Sequence, residues 1–240
     1  MKLLYSIILT LSALTGCAKK QADTAPIIMT QKDTVANGPP QSYLALGDSY
    51  TIGEAVPANN SYPYQLWQAL DQLKYRFTSP TIIATTGWTT DQLISHIASS
   101  GINGKTYDMV TLLIGVNDQF QGLSQDNYKI KFQQVLNTAI QFAGGNKTHV
   151  FVLSIPDYGV TPFAGGDDGI IGPQIDQFNA INKSISLAAG VNYLDITGIS
   201  RQAATDPGLI APDGLHPSGK MYALWVQQLV PMVATKINVN

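Results

Sequence analysis

The sequence predicts a three-layer α/β/α domain built on a parallel sheet, on three observations. Five short apolar runs occur between residues 42 and 195, helical patterns separate them, and turn-forming or polar residues follow the first three runs where strands would end. The runs are 42–47, Thr81–Thr85, Met109–Gly115, His149–Ser154 and Val191–Asp195, rich in Val, Ile and Leu and without strict alternation. That composition suits strands buried on both faces. Helical patterns lie at Tyr62–Leu73, Asp91–Ser99, Asn127–Phe142 and Gln174–Ala188. A last helix is expected from Pro217 to Lys236, with Pro217 at its first position, where the missing N–H costs nothing. Strands alternating with helices imply right-handed crossovers that cover both faces of the sheet. Five strands within one domain of this size point to the flavodoxin-like arrangement, in which chemistry sits at the carboxyl ends of the strands.

Composition narrows the functions this body can serve. The 240 residues are 45% apolar and only 12% charged, which excludes a wholly disordered chain. Fourteen basic groups stand against sixteen acidic ones, with no basic run, so the electrostatic footprint of a nucleic-acid binder is missing. A single cysteine rules out a disulfide scaffold, and His96, His149 and His216 are too scattered for metal-ligand spacing.

The N-terminus reads as a separate segment. Met1-Lys2 precedes a mostly apolar stretch from Leu3 to Leu14, then Leu14-Thr15-Gly16-Cys17. The stretch is too short for a membrane-spanning helix, which needs roughly 20 residues, and suits an export signal. Leu-Thr-Gly-Cys resembles the lipobox of bacterial lipoproteins. The resemblance implies cleavage after residue 16 and lipid attachment at Cys17, hence a protein held in the bacterial cell envelope, with the outer membrane or cell surface favoured over the inner membrane. Residues 17–41 are then a lipidated cysteine and a polar tether with Pro and Gly punctuation, and 42–240 the folded domain.

The strand-end rule picks out candidate chemistry. Gly47-Asp48-Ser49-Tyr50 follows the first run, Thr86-Gly87-Trp88 the second, and Gly115-Val116-Asn117-Asp118 the third; Asp213-Gly-Leu-His216 precedes the last helix. A serine hydroxyl needs a base to take its proton, imidazole titrates near neutrality, and a carboxylate on its other nitrogen fixes the tautomer. An amide and free backbone N–H groups could stabilise an oxyanion. Each fragment alone is ordinary turn or capping chemistry; their joint occurrence in order is what signals a site. The G-x-S-x-G elbow of α/β-hydrolases is absent, because Thr51 stands where the second glycine would be.

Gly47-Asp48-Ser49, Gly87, Gly115-x-Asn117-Asp118 and Asp213-x-x-His216 resemble the four blocks of the SGNH hydrolases, also called the GDSL family, over residues 42–235. The resemblance implies a serine ester hydrolase with Ser49 as nucleophile, His216 as base and Asp213 orienting the imidazole, without metal or organic cofactor. It places the Ser49 and Gly87 backbone N–H groups and the Asn117 amide in the oxyanion hole. Tyr50 departs from the leucine common there, and Trp88 from a small or polar residue. Trp88 and Phe163 are candidate walls of the substrate pocket. Asp48 and Asp118 are expected to hold turns, and Glu54 and Asp157 to be solvated carboxylates near the cleft. Tyr158 to Pro173 reads as a long loop over the site. Within the family the sequence most resembles the lysophospholipase/thioesterase-like branch, and the resemblance implies action on acyl esters of lipids or small alcohols. A carbohydrate O-deacetylase and a catalytically silent surface binding protein on the same fold stay open as alternatives, as does the oligomeric state.

Overall fold

Because Tyr43–Gly47 (β1) is apolar at every position, it takes a central place in the sheet, buried throughout. In the computed structural model, which describes residues 38–238, the chain continues through a single helical turn, Ser49–Ile52 (α1), into Tyr62–Gln72 (α2) and Thr81–Ala84 (β2). Next come Thr90–Ser99 (α3), Met109–Leu113 (β3), a second short helix Val116–Phe120 (α4), Gln125–Phe142 (α5) and Val150–Leu153 (β4). Asp168–Ala189 (α6), Asn192–Leu194 (β5), Thr197–Ser200 (α7) and Gly219–Ala234 (α8) complete it.

All strands are parallel, in the order β2-β1-β3-β4-β5. This is the doubly wound order whose switch point falls between β1 and β3. The register sets Gly47 beside Ala84 and Leu113, so the ends of three strands are level. β1, β3 and β4 are buried throughout, as the unbroken apolar runs require, whereas the edge strands β2 and β5 are partly exposed. Helices flank the sheet: α2 packs on α8, through Tyr62 against Tyr222 and Trp225, and α5 lies between α3 and α6.

Several boundaries differ from the sequence reading. Pro217 is not the start of the last helix. It makes an antiparallel bridge with Ile210, and Ser218 caps α8 by accepting from the Met221 N–H at 3.3 Å. The segment from Tyr158 to Pro173 is only half loop: Pro162–Ala164 forms a 3₁₀ turn and α6 begins at Asp168, with Pro173 inside its second turn. There the missing N–H leaves only the first-turn carbonyl of Gly169 without its helical partner. Gln41, assigned to the tether, is built into the domain. Its backbone pairs with Arg76 and Thr78, and its side-chain amide donates to the Asn238 carbonyl at 2.9 Å. Cys17, the signal segment and the tether up to residue 37 lie outside the described residues.

Candidate active site

Two glycines bring the strand ends close enough to form a site. A Cβ on Gly47 would lie 2.1 Å from Thr51 Oγ1 and 2.4 Å from the Leu113 carbonyl oxygen, so only glycine lets α1 fold back over β1. Gly115 holds φ +127°, and a Cβ there would lie 2.6 to 2.8 Å from the ring of Tyr128 on α5. Each glycine is followed within two residues by a polar side chain that starts or enters a short helix. Sequence periodicity misses both helices, since four or five residues show no repeat.

Ser49 is the first residue of α1. Asp48 caps that turn, its Oδ1 accepting from the Tyr50 N–H at 3.0 Å. The Ser49 N–H therefore has no intrahelical acceptor, and its hydroxyl makes no hydrogen bond to any described residue. The Gly87 N–H likewise donates to no described group. The Asn117 amide donates one N–H to the Trp88 carbonyl at 3.0 Å. A carbonyl can only accept, so the amide nitrogen faces it and its second N–H is left over. Trp88 therefore contributes through its backbone. Its ring, expected in the pocket wall, stacks on His96 at 4.2 Å between centroids and is not among the cleft-lining side chains.

On the opposite wall, His216 Nδ1 lies 2.5 Å from Asp213 Oδ2, while Asp213 Oδ1 accepts from the backbone N–H groups of Leu215 and His216, each at 3.0 Å. The carboxylate partner assigns the proton to Nδ1 and leaves Nε2 as the acceptor. Partial burial pushes the Asp213 carboxyl up, but the hydrogen bonds from the His216 ring and the two amides outweigh it and hold it below the usual range. The Ala211 N–H donates to the His216 carbonyl at 2.7 Å, and the Phe163 N–H to the Gly214 carbonyl at 3.0 Å, fixing the loop at both ends.

Ser49, Gly87, Asn117 and His216 share the walls of one cleft of about 130 Å³. Phe163, as expected, lines it. Tyr50, Val116, Phe120, Tyr158 and Leu215 do so as well, and sequence reasoning did not pick them for the pocket. The signal for Phe120 was its position three residues after Asn117, one helical turn along the same face. Tyr50 is buried, its ring edge-on to the His216 imidazole with centroids 5.6 Å apart.

The residues next to Ser49 and Asn117 in the chain, Asp48 and Asp118, are buried carboxyls. Burial, helped by the nearby Asp118 charge, pushes Asp48 up to about 8 against the pull of the Tyr50 hydrogen bond. Burial also raises Asp118, whose Oδ2 accepts from the Thr90 backbone at 2.8 Å and hydroxyl at 3.0 Å, tying α4 to the start of α3. Glu54 is half-buried and accepts from the Thr86 hydroxyl. Asp157 is not solvated: it is 4% exposed and pairs with Arg201 Nε at 2.8 Å. Among the described residues, no group of three or more His, Cys, Asp or Glu side chains could hold a metal ion.

A family model described as the GDSL-like lipase/acylhydrolase family matches residues 45–224. Among solved structures, TesA aligns with a TM-score of 0.65 at 16% identity, over 82% of this chain and all of that one. A lipase/acylhydrolase from Enterococcus faecalis aligns at 0.65 and 17% identity, covering 83% of this chain and 98% of the other. A variant of Axe2, an acetyl xylan esterase from Geobacillus stearothermophilus, gives 0.65 and 18% identity, with 85% and 99% covered. At these identities the likeness establishes a shared fold. No curated protein sequence matches the chain.

Proposed function

Since the chain belongs to the GDSL-like lipase/acylhydrolase family and is an ester hydrolase, we propose that it cleaves acyl esters through a Ser49–His216–Asp213 triad. The observation that carries this reading is the cleft itself, in which an unengaged serine hydroxyl and a carboxylate-oriented histidine face a single small space. Ser49 Oγ attacks the ester carbonyl carbon while His216 Nε2 takes the hydroxyl proton. The Ser49 and Gly87 N–H groups and the second Asn117 N–H receive the charge that develops on the carbonyl oxygen. The imidazolium then returns the proton to the departing alcohol, leaving an acyl-serine. Water, activated by the same imidazole, releases the acid. The serine–imidazole hydrogen bond is open in this structure, and such contacts close when substrate binds.

The apolar lining supports a hydrocarbon acyl group, on an ester of a lipid or small alcohol. Comparing p-nitrophenyl acyl esters with acetylated xylan tests this, since turnover of xylan alone would favour an O-deacetylase. Labelling by a fluorophosphonate probe, lost in Ser49→Ala, tests the triad against a silent binding protein. Failure of wild-type protein to label and to turn over any ester would end the catalytic reading. Localisation belongs to the same proposal. The Leu-Thr-Gly-Cys17 signal supports lipid anchoring in the bacterial envelope, since two or more acyl chains give stable membrane attachment where one does not. Wild-type protein is then expected in the detergent phase and resistant to a salt wash, and Cys17→Ala as uncleaved precursor or soluble protein. Soluble, unmodified wild-type protein would overturn the anchor.

A further inference from the structure

The reacting groups occupy one side of the cleft, and what remains is a small hydrocarbon compartment. Its volume is about 130 Å³, against 390 and 510 Å³ for two hollows elsewhere on the domain. Pockets for drug-sized ligands run from roughly 300 to 1,000 Å³. We infer that the acyl group this enzyme accepts is short, about two to five carbons, and that Tyr50 sets the limit. The inference rests on the ester-hydrolase reading above and specifies its substrate.

The walls are too well held to yield. Tyr50 is 3% exposed and belongs to the same helical turn as Ser49, so it cannot retreat without moving the nucleophile. One side of its ring is already against His216. Tyr158 is 6% exposed, its carbonyl accepts from the Thr161 N–H at 3.0 Å and hydroxyl at 2.6 Å, and its ring meets Phe120 and Phe163 at 6.1 and 6.5 Å. Phe163 is tied through its N–H to Gly214, in the loop that carries the base. Forcing extra methylenes into such packing drives side chains off their rotamers and is unfavourable. Phe120 and Phe163 are more than half exposed and form the rim, over which the alcohol portion leaves. With Ser49, Gly87, Asn117 and His216 directed at the carbonyl, the floor between Tyr50, Val116 and Tyr158 is left for the acyl chain.

The test is the kcat/KM series over p-nitrophenyl acetate, butanoate, hexanoate, octanoate and decanoate, each below its aggregation concentration. With the leaving group constant, the series reads the acyl site alone. For wild-type enzyme the maximum should fall at acetate or butanoate, with a drop of at least about tenfold by octanoate, since one methylene in an apolar pocket is worth 10–200-fold. Tyr50→Leu removes a ring from the floor and should raise the octanoate-to-acetate ratio at least about tenfold. Tyr50→Phe keeps the volume and should leave that ratio unchanged. Wild-type preference for octanoate or decanoate overturns the inference. So does a folded Tyr50→Leu enzyme whose ratio matches wild type. If Tyr50→Leu does not fold, Tyr158→Leu opens the same floor, and the wild-type series still decides the chain length. A long-chain preference with active enzyme sinks this inference alone; absence of turnover and of fluorophosphonate labelling sinks the catalytic reading beneath it.

Discussion

Two regions lie at the carboxyl ends of the same sheet and use their polar residues in opposite ways. At the ends of β4 and β5, polar groups are densely paired. Ser154 Oγ receives the Ile196 N–H at 2.8 Å and meets Thr197 Oγ1 at 2.8 Å. Asn179 both accepts from and donates to Ile155, at 2.8 and 2.9 Å, and Arg201 bridges Asp157 and Asp176 at 2.8 Å each. At the ends of β1 and β3, groups are held without being used up. Among the described residues the Ser49 hydroxyl has no partner, one N–H of Asn117 is left over, and Asp48 Oδ2 and Asp118 Oδ1 are buried without a hydrogen bond. A saturated network rigidifies, while an unsaturated one can offer donors and acceptors to a reacting molecule. The contrast separates scaffold from site more sharply than residue type does, since both ends contain Ser, Asp and Asn.

Substitutions at the two ends should therefore act on different observables. The largest effect is expected for Ser49→Ala, with turnover down about 10⁴-fold or more and unfolding unchanged, because a hydroxyl without a partner contributes little to stability. Retention of a tenth of the activity would break the comparison at its centre. Next comes the buried acid. Asp48 holds its proton up to about 8 in the folded protein but releases it near its ordinary 3.8 once unfolded. The folded state thus binds the proton more tightly, so this contribution to stability is complete below the ordinary value and is lost as pH rises through about 8. Urea unfolding at pH 5 and pH 8 should show Asp48→Asn losing less stability than wild type over that interval, by up to about 4 kcal/mol. Equal losses would mean that the carboxyl is not held neutral.

Asn117→Ala should lower kcat about 10²–10³-fold with KM much less changed, because the amide acts on charge present only in the transition state. A change confined to KM would make it a ground-state binding group. At the saturated end, Asn179→Ala strands buried Ile155 groups and should cost about 1–3 kcal/mol of stability. Its kcat should match wild type. Loss of kcat without loss of stability would show that the β4/β5 end takes part in the chemistry.

The same contrast explains what could be read from the sequence. Strand positions were legible because β1, β3 and β4 are buried on both faces and so spell unbroken apolar runs. Ser49, Gly87, Asn117, Asp213 and His216 were legible because each sits in a distinctive local string beside a strand or helix end. Pairings across the fold were not. Asp157 meets Arg201 only because α7 carries the chain back beside the end of β4, and nothing local to Asp157 marks it as buried. The Trp88 ring turned to His96 because α3 lies directly after its turn, capped by Thr89 and Gln92. Glycines and Pro173 made 158–173 look structureless, although the first turns of α6 tolerate them. Nothing local to Tyr50 marks it as a wall of the cleft, since its contact with His216 closes across 166 positions of sequence.

The close approach of Gly115 to Tyr128 also restricts the order in which this protein can change. The Tyr128 hydroxyl donates to the Ile114 carbonyl at 3.2 Å and receives the Asn182 amide at 3.2 Å, while Asn182 Oδ1 accepts from Tyr193 on β5 at 2.7 Å. Any side chain arriving first at Gly115 meets a ring that is fixed from behind and displaces the turn carrying Asn117. Shrinking Tyr128 first opens the space but leaves the Ile114 carbonyl and the Asn182 amide short of a partner. The two positions are therefore epistatic, and neither single step is neutral. A lineage diverging from this sequence is expected to vary freely along the rim of the cleft, while Gly115 persists because its φ of +127° strains any side chain even where Tyr128 has shrunk.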